Sequence, residues 1–323
     1  MRIIYVPQYP TSMRYSEWWY WKLPQMFEDV GYEVITLGKS SIRLFKNKRA
    51  NLDMFSPVSS AINFEIKQIE EYMLLNIKKD DVLFLNDLSF PGLFCNILYH
   101  KQCTKMFAFC HATSLNKFDY FENVRNSKFL TESGHSVLFD KVFVGSEYHK
   151  QKLINGSNLK LWTNTKVSYL PFPPFKPVVE KLKKYNIISV SRPTPQKVDE
   201  NLEKVVENHF GPVNRLVSNS WKEYYKNLAM SKILLVTAQE DTFGYQIVDA
   251  IINGCIPIAR NDLAYPELLP EEYLYNNSKE LLERIENVLN GTLLLPKLKC
   301  EKQMKDFYYT IIKEIKGKNG KSD

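Results

Sequence analysis

The chain has 323 residues, 44% of them hydrophobic and 24% charged; this excludes wholesale disorder and suits two domains of roughly 150 residues. Its 43 Lys and Arg against 36 Asp and Glu give a net charge of +7, enough for an anionic ligand but far from a polybasic tail. With 12 Gly beside 19 Phe and 19 Tyr, a fold built on many glycine-rich loops is excluded as well.

The opening run MRIIYVPQYP carries one positive charge and a short apolar stretch, which reads as a first strand, Ile3–Val6, and not as a signal peptide. The spacing predicts a helix over Glu17–Val30, stopped by Gly31, and a strand over Glu33–Leu37. Strands are predicted again at Val82–Leu85, Met106–Phe109 and Val142–Val144. Around residues 171 to 177 the chain reads PFPPFKP, too rich in proline for a helix or an inner strand, and so a linker. Beyond it, strands are predicted at Ile187–Val190, Leu216–Ser218, Ile233–Val236 and Ile256–Ala259, with helices at Tyr245–Asn253 and Ser278–Leu289. This β-α-β alternation predicts an α/β fold of two domains, each a parallel sheet covered on both faces, with a cleft between them.

Five cysteines without a C-x-x-C pair fit reduced thiols in a cytoplasmic protein. The five histidines are scattered and no D-x-D occurs, so no metal site is expected. No apolar run approaches the ~20 residues that span a bilayer.

In open α/β sheets ligands lie beyond the carboxyl ends of the strands, which directs attention to the loops that follow them. Arg192 and Lys197 fall in the loop after Ile187–Val190, where two cations suit a diphosphate; solvated surface charge is the other reading. After Ile233–Val236 comes Glu240-Asp241-Thr242-Phe243-Gly244-Tyr245 and, further on, Asp249. Phe243 and Gly244 stand where a helix begins, with free amides and the positive dipole end. Asp241 could be a helix cap, an explanation that does not reach Asp249 inside an apolar segment.

R-x4-K followed by acid-x7-acid around Phe-Gly resembles the donor-binding half of family-4-type glycosyltransferases with the GT-B fold, over most of residues 187–290. Within that family, the run YPELLPEEYLY resembles the tRNA-queuosine mannosyltransferase-like group. The resemblance implies two Rossmann-like domains: residues 1–172 with a C-terminal helix at 302–323 for the acceptor, and residues 173–301 for the nucleotide sugar. It implies a UDP- or GDP-linked co-substrate, no other cofactor, no obligatory metal, and retention of anomeric configuration. Arg192 and Lys197 would take the phosphates, Asp241 the sugar and Asp249 the ribose, with Glu240, Thr242, Phe243, Gly244 and Tyr245 around them. The loop Asn261–Leu268 would close on the donor. The chain departs from the family by using Asp at both acid positions, and Glu240 could stand in for Asp241.

By the same resemblance the first half holds the acceptor. Asn86-Asp87 and Cys110-His111 follow strands, and His111 matches a histidine beside the donor sugar; a satisfied loop histidine is the alternative. Ser146-Glu147 resembles the family's S-E segment and reads as helix capping. Arg14 and Tyr15 occupy a loop that is glycine-rich in the family. In Trp18-Trp19-Tyr20-Trp21, successive helical positions turn by about 100°, so the four rings cannot all face one core, and Trp18 is taken as an acceptor contact. Lys39, Arg43, Lys46, Lys48 and Arg49 add a basic segment. Residues 1–172 hold 21 Lys and Arg against 16 Asp and Glu, a tilt toward a polyanionic acceptor. The expected activity is therefore sugar transfer to a hydroxyl of a modified base, either hydroxymethylpyrimidine in DNA, as in phage-type systems acting in a host cytoplasm, or queuosine in tRNA. A cell-surface glycan or lipid acceptor and a non-catalytic nucleotide-sugar or nucleic-acid binding protein are the alternatives.

Overall fold

The computed structural model describes residues 1–39, 58–118, 121–180, 182–191 and 194–317. Arg192 and the basic residues Arg43, Lys46, Lys48 and Arg49 lie outside the described residues.

The chain divides into two compact units. The first comprises Met1–Gly145, Lys150–Ser168 and the residues from Asp306 onward; the second comprises Ser146–His149 and Tyr169–Lys305. The first unit runs β1 (Arg2–Val6), α1 (Tyr15–Asp29), β2 (Glu33–Thr36), α2 (Val58–Leu74), β3 (Val82–Leu85), α3 (Phe94–Ile97), β4 (Lys105–Cys110), α4 (Arg125–Ser136) and β5 (Lys141–Val144). Then come α5 (Glu147–Asn155), whose first turn clusters with the second unit, and β6 (Thr165–Val167). The sheet order is β2-β1-β3-β4-β5-β6, every pairing parallel, as in Ile3↔Val82 and Phe107↔Lys141. The inner strands VLFL and KMFAFC are buried on both faces, as their unbroken apolar runs require.

The second unit holds β7 (Tyr185–Ser189), α6 (Glu200–Phe210), β8 (Asn214–Arg215), α7 (Trp221–Ala229), β9 (Ser231–Val236), α8 (Tyr245–Ile252), β10 (Ile256–Arg260), α9 (Tyr265–Leu268), β11 (Leu274–Tyr275), α10 (Ser278–Leu289) and α11 (Glu301–Lys305). Its parallel sheet runs β11-β10-β9-β7-β8. The last helix, α12 (Phe307–Lys316), returns to the first unit. There Phe307 packs its ring 5.4 Å from Trp19 and 6.1 Å from Phe109.

The sequence reading does not include the short strands β6 and β11, and one predicted strand is displaced. Leu216–Ser218 is not extended in the sheet; the strand is Asn214–Arg215, paired with Ile188 and Ser189. Asn214 donates to the Ile187 carbonyl and Arg215 pairs with Glu203 on α6. Polar anchors therefore set this edge, while Val217, which made the run look strand-like, is 72% exposed. Among the described residues, no helix is long and apolar enough to cross a membrane, and no group of three or more His, Cys, Asp and Glu is placed to hold a metal ion.

Candidate functional site

In the second unit two loops at the carboxyl edge of the sheet meet. The segment after β7 turns through Thr194 to Val198, where the Lys197 and Val198 amides both donate to the Thr194 carbonyl. The Gln196 carbonyl accepts the amides of Gln239 and Glu240, which fastens the loop after β7 to the loop after β9. Lys197 is thereby placed with its ammonium 2.9 Å from the Glu240 carbonyl and 3.3 Å from the Asp241 carboxylate. Glu240 is buried and meets Lys197 through its backbone; Asp241 is the acid whose carboxylate reaches the cation. The Lys197 and Asp241 side chains remain 20% and 17% exposed, enough for a ligand to touch them.

Gly244 caps α8 with φ at +96°, in the left-handed region. A Cβ there would come within 2.9 Å of the Tyr265 ring, so conformation and space both demand glycine. No side chain caps this helix, so Asp241 is not its N-cap. Its carboxylate instead accepts from the Phe243 amide at 3.4 Å, two residues on, and from the Tyr265 hydroxyl at 3.4 Å. The start of α8 thus presents a positive dipole end that no side chain caps. Phe243 is buried, edge-on to Tyr245, whose hydroxyl donates to the Pro171 carbonyl. The Thr242 carbonyl accepts from Ser146 Oγ, which also caps the His149 amide.

Asp249 is 4% exposed, and its two carboxylate oxygens accept from the hydroxyls of Tyr225 at 2.9 Å and Tyr224 at 3.3 Å. Burial pushes its carboxyl up to about 7, against the pull of the two tyrosines. In the loop Asn261–Leu268, the Glu267 carboxylate accepts the Glu147 and Tyr148 amides and the Tyr169 hydroxyl. It caps α5 together with Ser146, at the Ser146-Glu147 pair in which the sequence reads helix capping.

A hollow of about 330 Å3 lies beside this site, lined by Thr194, Pro195, Val198, Asp199, Glu200, Asn201 and Gln239. Its two carboxylates have the wrong sign for a diphosphate, and Arg260 is spent on Asp199.

In the first unit, the predicted residues at the ends of β3 and β4 come together. Asp87 is buried and accepts from Gln8 Nε2 at 2.9 Å and the Ser89 amide at 3.0 Å. Burial, reinforced by the nearby Glu132 charge, pushes its carboxyl up to about 8. Asn86 Oδ1 lies 3.5 Å from His111 Nε2. The His111 ring stacks on Phe109 at 4.5 Å and is flanked by Trp19 at 4.7 Å and Tyr15 at 4.9 Å. His111 is thus 6% exposed and boxed by three rings. Arg14 stands at the start of α1 without capping it through its side chain.

Trp18 corrects an expectation. It is 2% exposed, packed 5.7 Å from Trp19, and presents no face to an acceptor. The ring that reaches solvent is Trp21, at 46%. Three residues escaped the sequence reading as parts of these sites, Gln8, Ser191 and Gln246, while Tyr265 entered it only as a member of the loop Asn261–Leu268. Ser191 Oγ donates to Gln246 Oε1 at 2.9 Å, and no spacing rule links those two positions.

No protein-family model matches the chain. A stretch of 98 residues is 36% identical to the tRNA-queuosine alpha-mannosyltransferase of Drosophila melanogaster; it covers 28% of this chain and about a quarter, 24%, of that protein. Among solved structures, sucrose-phosphate synthase from Thermosynechococcus elongatus superposes with a TM-score of 0.64 at 13% identity, over 96% of this chain and 94% of that one. The E. coli structure named trehalose-6-phosphate, bound with UDP-2-fluoro glucose, gives 0.63 at 11% identity, over 98% and 99%. The fold is therefore that of GT-B glycosyltransferases: two parallel-sheet α/β units in one chain.

Proposed function

We propose that the chain is a retaining glycosyltransferase that moves a sugar from a nucleoside-diphosphate sugar to a hydroxyl on a modified nucleic-acid base. The observation that carries this reading is the meeting of Lys197, Asp241 and the uncapped start of α8 at one sheet edge. An ammonium and the positive end of a helix stabilise the charge that builds on a departing diphosphate. Arg192 joins them in this reading, and Asp241 accepts from sugar hydroxyls. Asp249, held by its tyrosines, serves the ribose. The anomeric carbon loses its bond to the phosphate oxygen and gains one to the acceptor oxygen, while the acceptor's proton leaves with the diphosphate. The first unit takes the acceptor around Asn86, Asp87 and His111. The 36% identical relative favours queuosine in tRNA as the acceptor; hydroxymethylated pyrimidine in DNA is the other nucleic-acid arm of the test.

The test incubates the purified chain with UDP- and GDP-linked sugars and queuosine-containing tRNA, 5-hydroxymethylcytosine DNA or lipid vesicles. Nucleosides and lipids are then weighed by mass spectrometry. A sugar mass gained by one nucleoside is the expected result, and transfer to lipid alone would overturn the acceptor. Lys197→Ala should lower transfer by about 100-fold or more at an unchanged melting temperature. Full activity in that variant removes the diphosphate assignment.

A further inference from the structure

We propose that Tyr265 is a positioning residue that aims the Asp241 carboxylate at the donor sugar, an inference that rests on the donor reading above. Tyr265 touches neither phosphate nor sugar in that reading; it acts on the acid that does.

The Tyr265 hydroxyl donates to Asp241 Oδ2 at 3.4 Å. A carboxylate only accepts; Oδ2 also meets the Lys197 ammonium at 3.3 Å, and Oδ1 takes the Phe243 amide at 3.4 Å. Each contact to Asp241 is longer than an optimal hydrogen bond. Their shared effect is therefore direction, three donors converging on one group, more than strength.

The tyrosine is fixed independently of Asp241. It is fully buried, and its ring lies where any Cβ on residue 244 would fall. Burial raises its hydroxyl well above the ordinary tyrosine range, so it stays a donor throughout neutral pH. Lys197 comes from the loop after β7 and Tyr265 from α9, so the sugar-facing acid is held between the phosphate loop and a buried ring.

Tyr265→Phe keeps the ring and removes only the hydroxyl. Binding of free UDP and GDP, and binding and turnover of the corresponding nucleotide sugars, are measured on the full chain. The variant should lose about 3- to 10-fold in kcat/KM for the nucleotide sugar, with free-nucleotide affinity and melting temperature unchanged. In an Asp241→Asn background, adding Tyr265→Phe should cost nothing further. Full activity in Tyr265→Phe, or a loss that persists undiminished beside Asp241→Asn, overturns the proposal and leaves the donor reading intact. A wild-type chain that binds none of the nucleotide sugars overturns both.

Discussion

A carboxyl buried as deeply as that of Asp249 either keeps its proton or is fed by donors, and here both pressures operate. Its folded value of about 7 lies above the ordinary 3.8. Between those values the native state holds a proton that the unfolded chain has lost, so this group lowers stability as pH rises toward 7 and has no further effect above it. Asp249→Asn should flatten that component. The check is the difference in urea midpoint between variant and wild type from pH 4.5 to 8; a difference that does not change with pH refutes the assignment. Asp87, at about 8, remains in both proteins and cancels in the comparison. At this scale the meeting of Lys197 and Asp241 was the readable part, because both stand in loops after strands that the sequence singles out. The contact of Tyr265 with Asp241 was not readable: the two residues come from different segments, and only the fold brings the tyrosine hydroxyl to the carboxylate.

Helix α1 shows how an element sorts its own residues. Trp18, Trp19 and Leu23 are buried while Trp21 is 46% exposed, as a 100° step between neighbours requires. Trp19 meets Phe109, His111 and Phe307, so Trp19→Ala should cost about 3–5 kcal/mol. Trp21→Ala should stay within about 0.5 kcal/mol. Urea unfolding of the two variants gives the comparison, and equal costs would mean that the helix is rotated from the face described. The sequence predicted that one ring must leave the core and then chose Trp18; periodicity supplies the angle between rings but not the phase against the sheet. Short edge strands failed for a related reason. Two-residue β8 depends on Ile188 and Ser189 across the sheet and on Glu203 for its arginine. None of these is visible in the local run.

At the scale of the molecule, α12 completes a unit that begins some 300 residues earlier in the chain. Phe307, Ile311 and Ile315 are fully buried, Lys166 pairs with Glu314 at 2.5 Å, and Lys105 donates to the Ile315 carbonyl. Ending the chain after Lys305 should therefore strip hydrogen-exchange protection from β1 and β4 and leave β9 and β10 protected. Mass-resolved exchange distinguishes this from a dispensable helix, which would leave all four strands unchanged.

This threading also sets an order of events during synthesis. Residues 169–305 emerge after most of the first unit, at about 5–20 residues per second, and the second unit is complete by Lys305. Only then does Phe307 arrive to cover Trp19 and Phe109 beside His111. The later-made unit can thus finish folding first, while the earlier one waits on the order of ten seconds with an aromatic seam uncovered, a natural point for a chaperone to engage the nascent chain.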